Sequence, residues 1–299
     1  MTNPQAKQVL ARHGKSFYWA SLFLGATLAD RAARLYQFCR FVDDLADGDL
    51  PDRADSLEDI RAGLADPKHL AAAQIPELSA FIALASEANI PLRAAAELLD
   101  GMLRDQHPTA VKTEAELLRY CHAVAGTVGL MMCRVLNCQH QRADAFAIDL
   151  GIAMQLTNIA RDVLEDAQIK RRYLPADWFD PELSAETIAR AANDCHLPVA
   201  GVIDRLLALA EDYYNSALIG INLLPWRSRF AIIVALRVYR QIGRQLQGNG
   251  LQWWRGRTVV SKSRKMLLSL SSLNNLIPKT VPPHKARLHS DLRGLAGVE

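Results

Sequence analysis

Asn158, Asp162 and Asp166 recur every four residues, a spacing that stacks side chains on one face of a helix. Around them Ile152, Leu156, Ile159 and Val163 recur at three and four residues, the apolar period of a helix buried against others. The polar stripe therefore faces inward or lines the lip of a cavity. Two carboxylates at this spacing repel by roughly 0.2–0.5 kcal/mol even in water, and desolvation adds to that cost unless a cation answers them. Mg²⁺ suits the purpose, because it takes oxygen ligands, keeps several waters and is commonly held by one or two carboxylates plus substrate phosphates. A second stripe repeats the chemistry: Arg40, Asp43 and Asp47 share a face amid Leu35, Phe38, Phe41, Val42 and Leu45. One Asp-x-x-x-Asp is usually a solvated face. Two of them, each with an arginine within four residues and each set in apolar sequence, point to a paired metal–diphosphate site.

Helices must position these stripes. The first acidic helix is expected from about Ala29 to Asp47, stopped by Gly48-Asp49-Leu50-Pro51, a glycine followed by a proline that cannot continue it. Other helices are expected up to about Arg12, over about 54–65, 75–88 and 91–105, as one long element from Thr113 to Leu136, and over about 141–166. Alternating β-branched runs are scarce, so the fold class is all-α with no sheet. At 299 residues and 50% hydrophobic, the chain can bury one large core or two modest ones. The longest wholly apolar run, Phe230 to Leu236, is far short of the ~20 residues of a membrane span. No secretory signal is visible at the N-terminus, so a cytoplasmic protein is expected. From Pro278 onward, prolines and basic residues suggest a flexible basic end.

The five cysteines, Cys39, Cys121, Cys133, Cys138 and Cys195, form no Cys-x-x-Cys pair and read as reduced core residues rather than zinc ligands. His13, His107, His122 and His140 do not pair at metal spacing either. Charge is uneven: residues 226–299 carry 14 Lys and Arg against Asp291 and Glu299, so the rest of the chain is net acidic. The basic residues are interleaved with a helical apolar pattern rather than gathered in a run, which argues against nucleic acid and leaves an anionic ligand or membrane surface. Trp253 and Trp254, beside Arg255 and Arg257, read as core aromatics with solvated arginines, an interfacial role being the alternative.

In Tyr120-Cys121-His122-Ala123-Val124-Ala125-Gly126-Thr127-Val128-Gly129 the small residues stand out. Each interior glycine costs about 1 kcal/mol relative to alanine, so something must approach the backbone closely: a neighbouring helix, or a linear hydrocarbon. Tyr120, beside the small patch, offers a hydroxyl and an aromatic face able to stabilise cationic character.

Four segments together carry a resemblance: Cys39 to Asp47, Tyr120 to Gly129, Gln155 to Asp166, and Arg172-Tyr173-Leu174-Pro175. In this order, from about residue 13 to 265, they resemble the squalene/phytoene synthase family. The resemblance implies a single-domain isoprenoid synthase bundle around a central cavity over residues 1–277, followed by the tail, 278–299. It implies head-to-head condensation of two prenyl diphosphates through a cyclopropylcarbinyl diphosphate, with several Mg²⁺ ions per site. Asp43 and Asp47 would hold Mg²⁺ on one diphosphate, and Asn158, Asp162 and Asp166 on the other. Arg40 and Arg161 would clamp phosphate oxygens. His13, Gly14, Lys15 and Ser16 resemble the family's N-terminal diphosphate contacts, and Phe17 the aromatic that follows. Tyr36, Gln155 and Tyr239 match substrate-contact positions, Arg257 and Lys262 would close the site, and Tyr120 would steer proton loss.

No Gly-x-Gly-x-x-Gly is present, and the run Arg257 to Lys265 resembles the family's phytoene synthases more than its reductive squalene synthases. The expected reaction therefore joins two geranylgeranyl diphosphates to phytoene without NAD(P)H. The alternatives are condensation of C15 diphosphates to presqualene diphosphate, dehydrosqualene or squalene, and a non-catalytic scaffold member. The intact aspartates argue against the scaffold. A hydrocarbon product makes peripheral membrane contact an expectation; protein partners are not legible.

Overall fold

Segments whose apolar residues recur at three and four positions fold as helices in the computed structural model, which describes residues 4–48, 53–105, 109–179, 183–277 and 279–298, with the side chains of Asp47, Arg53 and Ala54 outside the description. The helices are α1 (Pro4–His13), α2 (Lys15–Ser21), α3 (Ala26–Asp47), α4 (Arg53–Ala65), α5 (Leu70–Gln74), α6 (Pro76–Ala88), α7 (Leu92–Arg104), α8 (Glu114–Cys121), α9 (Thr127–Val135), α10 (Ala143–Arg161), α11 (Val163–Gln168), α12 (Ala185–Ala189), α13 (Asn193–Gly220), α14 (Trp226–Gly248) and α15 (Lys262–Ser271). The all-α class holds, with one small departure from the expectation of no sheet. Thr109–Ala110 (β1) and Arg171–Arg172 (β2) pair in parallel over two residues.

Three boundaries differ from the sequence pattern for local reasons. α3 begins three residues early, because Gly25 adopts φ 79 and turns the chain directly into it. The long element expected from Thr113 to Leu136 contains a π turn at His122–Gly126 between α8 and α9, the kind of insertion that re-aims the residues after it. α10 and α11 are separated at Asp162, where the backbone opens to φ −106, ψ 17. Hydrogen bonds from Asp162 N to Asn158 O and from Asp166 N to Asp162 O persist on both sides, so the acidic stripe keeps its register through the bend. The residues expected to stop α3 beyond Gly48, namely Asp49, Leu50 and Pro51, lie outside the described residues.

α10 is the central post. Phe146, Ile148, Ile152, Ala153, Leu156, Ile159 and Ala160 are buried along it, and it packs against α9, α13 and α14. The glycines decide how close α9 comes. A Cβ on Gly129 would lie 2.1 Å from the carbonyl oxygen of Ala147, and one on Gly151 would lie 2.1 Å from that of Ala125. Close helix packing therefore accounts for the absence of a side chain at Gly129. Cys121, Cys133, Cys138 and Cys195 are buried and all five cysteines are unbridged.

The flexible end expected after Pro278 is not what residues 279–298 form; Pro278 itself lies outside the described residues. Ala286–Leu292 is a 3₁₀ turn, with Leu288 and Leu292 buried. Tyr213 donates its hydroxyl to Leu288 O at 2.7 Å, Arg119 reaches Asp291 O at 2.8 Å, and Glu97 accepts from Ala296 N at 2.9 Å. The anchor is Asp149, fully buried on α10, whose two oxygens each lie 2.8 Å from a ring nitrogen, one of His284 and one of His289. Proline content suggested disorder, but apolar Leu288 and Leu292 and these polar anchors give the segment something to dock with.

Burial opposes ionisation of Asp149, and the two histidine hydrogen bonds outweigh it, so its pKa is lowered. A lowered carboxylate contributes stability that is complete above its unfolded value of about 3.9 and is lost as the pH falls through the folded value. Asp149→Asn removes that contribution at every pH. Amide hydrogen exchange over 286–292 is expected to be slow in the native chain at pH 7 and fast in the variant; equal protection would show that the histidines do not hold this segment.

Candidate active site

α3 brings the first acidic row and α10–α11 the second, with aromatic side chains between them. On α3, Arg40 donates to Asp43 at 2.8 Å and also pairs with Asp44. The side chain of Asp47 lies outside the described residues. Tyr36, one turn before Arg40, has its hydroxyl pushed up to about 12 by burial and then by Tyr239, with Asp43 adding to the effect and Arg40 opposing it. Tyr239 on α14 is raised by burial and feels Arg161, Asp162 and Arg257. Tyr36 and Tyr239 thus link the two charged rows electrostatically. Phe17 closes this aromatic bridge, its ring centroid 6.3 Å from that of Tyr36 and 5.1 Å from that of Tyr239.

Phe17 is placed by the turn before α2. Gly14 sits where a Cβ would come within 2.9–3.0 Å of the side chains of Leu10 and Tyr36, so His13-Gly14-Lys15-Ser16 passes tightly over α1 and α3. His13 and Lys15 are exposed.

The second row is the more elaborately held. Both oxygens of Asp162 are taken: Arg161 donates at 2.7 and 2.5 Å, and Arg257 donates two bonds at 2.7 Å. Burial works against the charge of Asp162, but these two guanidiniums prevail and its pKa is lowered. Asp166 has the opposite fate: burial and then the charge of Asp162 push it up to about 7. Gln155 accepts from Asn158 Nδ2 at 3.3 Å, while Asn158 Oδ1 and Glu165 Oε2 are buried with no hydrogen-bond partner in the described structure. An unpartnered amide oxygen beside a carboxylate that resists ionisation is a donor set suited to a hard divalent cation. Lys262 opens α15 and is exposed.

Tyr120 lies in the last turn of α8, whose start is held by side-chain hydrogen bonds. Thr113 at the N-cap accepts from Glu116 N at 3.2 Å, and Glu116 accepts from Lys112 N at 2.7 Å. Tyr120 stacks on Tyr173 at 4.6 Å and donates to Asp105 at 2.8 Å. Its pKa is raised well above that of a free phenol, chiefly by burial and then by Asp105, so the hydroxyl keeps its proton. Asp105 also contributes to the raised pKa of Asp166, so it is within electrostatic reach of the second row. Sequence spacing gives no hint of Asp105, a lone acid just after α7. Its signal is its neighbour, since Arg171 donates to Asp105 O at 2.7 Å and precedes the Arg172-Tyr173-Leu174-Pro175 run.

The core reading of the tryptophans holds for Trp253, which is buried and donates to His196 O at 3.3 Å. Trp254 stacks on His196 at 3.7 Å. A separate apolar hollow opens farther along α10, lined by Met132, Phe146, Leu150, Ala217, Leu224 and Ile232 among others.

An all-helical fold with two acidic rows bridged by aromatics and ringed by arginines defines a prenyltransferase of the isoprenoid synthase class. Residues 10–264 match the sequence profile of the Squalene/phytoene synthase family, and the chain belongs to that family. It is 37% identical over 283 residues to a phytoene synthase of Pseudescherichia vulneris, covering 91% of each chain. It is 36% identical over 284 residues to a 15-cis-phytoene synthase of Enterobacter agglomerans, covering 91% of this chain and 95% of that one. The crystal structure of a dehydrosqualene synthase in complex with ligand superposes with a TM-score of 0.80 at 25% identity, over 91% of this chain and 95% of the other.

Proposed function

We propose that this enzyme condenses two geranylgeranyl diphosphates head to head, through a cyclopropylcarbinyl diphosphate, to phytoene, with no reductant. The observation that carries the reading is the pair of acidic rows on α3 and α10–α11, joined by Phe17, Tyr36 and Tyr239, in a chain more than 30% identical to phytoene synthases over nine-tenths of its length.

Asp43 and Asp47 would hold metal at one diphosphate, and Asn158, Asp162 and Asp166 at the other. Bound Mg²⁺ supplies Lewis-acid stabilisation of the charge on the departing diphosphate. Arg40 and Arg161 add fixed positive charge at the same oxygens, and an incoming phosphate competes with Asp43 and Asp162 for these guanidiniums. His13, Gly14, Lys15 and Ser16 contact a diphosphate from the α1–α2 turn, and Arg257 and Lys262 approach from the other side. Tyr36, Gln155, Phe17 and Tyr239 flank the reacting carbons and exclude water that would quench the allylic cation. Tyr120, still protonated and held by Asp105, orients proton loss in the second half-reaction. The apolar hollow around Leu150 lies about 18 Å along α10 from Asp162 at 1.5 Å per residue, on the apolar side toward which hydrocarbon tails would run.

The dehydrosqualene synthase likeness favours the C15 substrate as the second reading. Incubation with labelled C20 or C15 diphosphate, with and without NADPH and with Mg²⁺ or chelator, separates the two. Phytoene from the C20 substrate, two diphosphates released per product, indifference to NADPH and loss with chelator are expected. Exclusive turnover of C15 substrate would overturn the choice, and diphosphate release in full chelator would remove the metal from the reaction.

A further inference from the structure

α15 is amphipathic the wrong way round. Its inward face is polar: Lys265 and Ser269 are buried, as is Ser272 just past its end. Lys265 Nζ reaches Lys15 O at 3.5 Å, and Ser269 accepts from Trp19 Nε1 at 3.0 Å. Its outward face is apolar: Met266, Leu267 and Leu270 are each more than 50% exposed and at 100° per residue span about 100° of the helix surface, and Leu273, 50% exposed, follows in the 3₁₀ turn Ser272–Asn275. Ile277 at 71% continues the stripe beyond the helix.

A continuous apolar stripe of this size on a water-soluble surface marks an interaction site. Charge selects the occupant. No acidic residue occurs between Asp212 and Asp291, a stretch that holds 13 Lys and Arg, and Lys262 and Arg264 in the first turn of α15, with Lys15 beside Lys265, are exposed. Leucines and a methionine rimmed by lysine and arginine are the composition that lies in the interface of an anionic bilayer. A second copy of the chain would bring the same positive rim against itself, which disfavours self-association through this face. Among the described residues no helix is long and apolar enough to cross a membrane, so contact at this face is peripheral.

We propose that the outer face of α15, from Met266 to Ile277, docks the protein on an anionic lipid surface. This replaces the Trp253–Trp254 stretch as the membrane-facing element, since Trp253 is buried. Through Lys265 and Trp19 the docked helix stands on α2, the helix that carries Lys15, Ser16 and Phe17, so the charged end of the active site lies beside the bilayer from which an amphiphilic prenyl diphosphate arrives. Lipid docking does not depend on which prenyl chain is condensed, and vesicle flotation reads it without substrate.

The test is flotation of the full chain with vesicles of phosphatidylcholine alone or with 30% phosphatidylglycerol, at low and high salt. The native chain is expected to float with the anionic vesicles and to be released about tenfold by high salt, as a basic rim requires. Leu267→Glu/Leu270→Glu places two charges on the exposed face without touching the core. It is expected to lose vesicle binding about tenfold while keeping its melting temperature and its turnover of detergent-dispersed substrate. Leu197→Glu, at an 84% exposed leucine on α13, is the control and leaves binding unchanged. Equal flotation of native chain and double variant, or no flotation of the native chain, overturns the proposal. So does a native dimer in sedimentation equilibrium that the double variant abolishes, because it would assign the face to a second copy.

Discussion

Asp162→Asn is expected to lower turnover by about 10³-fold, the cost of losing one carboxylate of the proposed Mg²⁺ site and with it part of the electrostatic stabilisation of the departing diphosphate. Asparagine keeps the size of the side chain, and its single carbonyl oxygen can accept from Arg161 or Arg257, whereas the carboxylate binds both guanidiniums at once. The loss is therefore chemical more than structural. Asp162 also raises the pKa of Asp166, so neutralising it makes Asp166 easier to ionise; one metal-binding charge is lost while its neighbour gains. Folding stability is expected to drop by less than about 3 kcal/mol, the upper range for a hydrogen bond to a charged group. Diphosphate release at saturating Mg²⁺, read beside far-ultraviolet circular dichroism, makes the measurement. Turnover above a tenth of the native rate in a folded variant would take Asp162 out of the reacting site.

The two acidic rows were legible in the sequence because helical spacing is a local property. Asn158, Asp162 and Asp166 stay in register even though the helix bends at Asp162, since the backbone bonds on both sides of the bend survive. What the sequence could not convey was partnership across long separations. Arg257 lies 95 residues from Asp162, and its pairing was suggested only by resemblance. Asp105 has no periodic companion and gains meaning only once α7 and α8 set it against Tyr120. The docked end of the chain was hidden for a different reason. Prolines signal an irregular backbone, and nothing in the spacing of His284 and His289 shows that both close on Asp149, 135 and 140 residues earlier. The cost of the glycines was visible; which neighbour offset it was not.

Gly151→Ala is expected to destabilise the fold by on the order of 3 kcal/mol, the upper range for forcing extra volume into a packed core. Its Cβ would meet the carbonyl oxygen of Ala125 at 2.1 Å, the carbonyl carbon at 2.6 Å and the Cα of Gly126 at 2.9 Å. All three are backbone atoms, so no rotamer change relieves the contact and the two helices must separate. Gly201→Ala provides the opposite sign. Gly201 is exposed inside α13 with nothing within 4 Å of the added carbon, and alanine there is expected to gain up to about 1 kcal/mol from helix propensity. Urea unfolding of the two variants should move the midpoint in opposite directions. A neutral Gly151→Ala would mean that the helices can part at little cost.

The seam between α9 and α10 bears on product size. Because its two backbones already touch, the pair acts as a fixed jamb, and a longer hydrocarbon cannot be admitted by prising it open. Slack must come from across the hollow, where Ala217, Ile221, Leu224 and Ile232 project from the opposite wall. Trimming or bulking those four is the route by which chain length could be retuned while the frame that aims the carboxylates stays put.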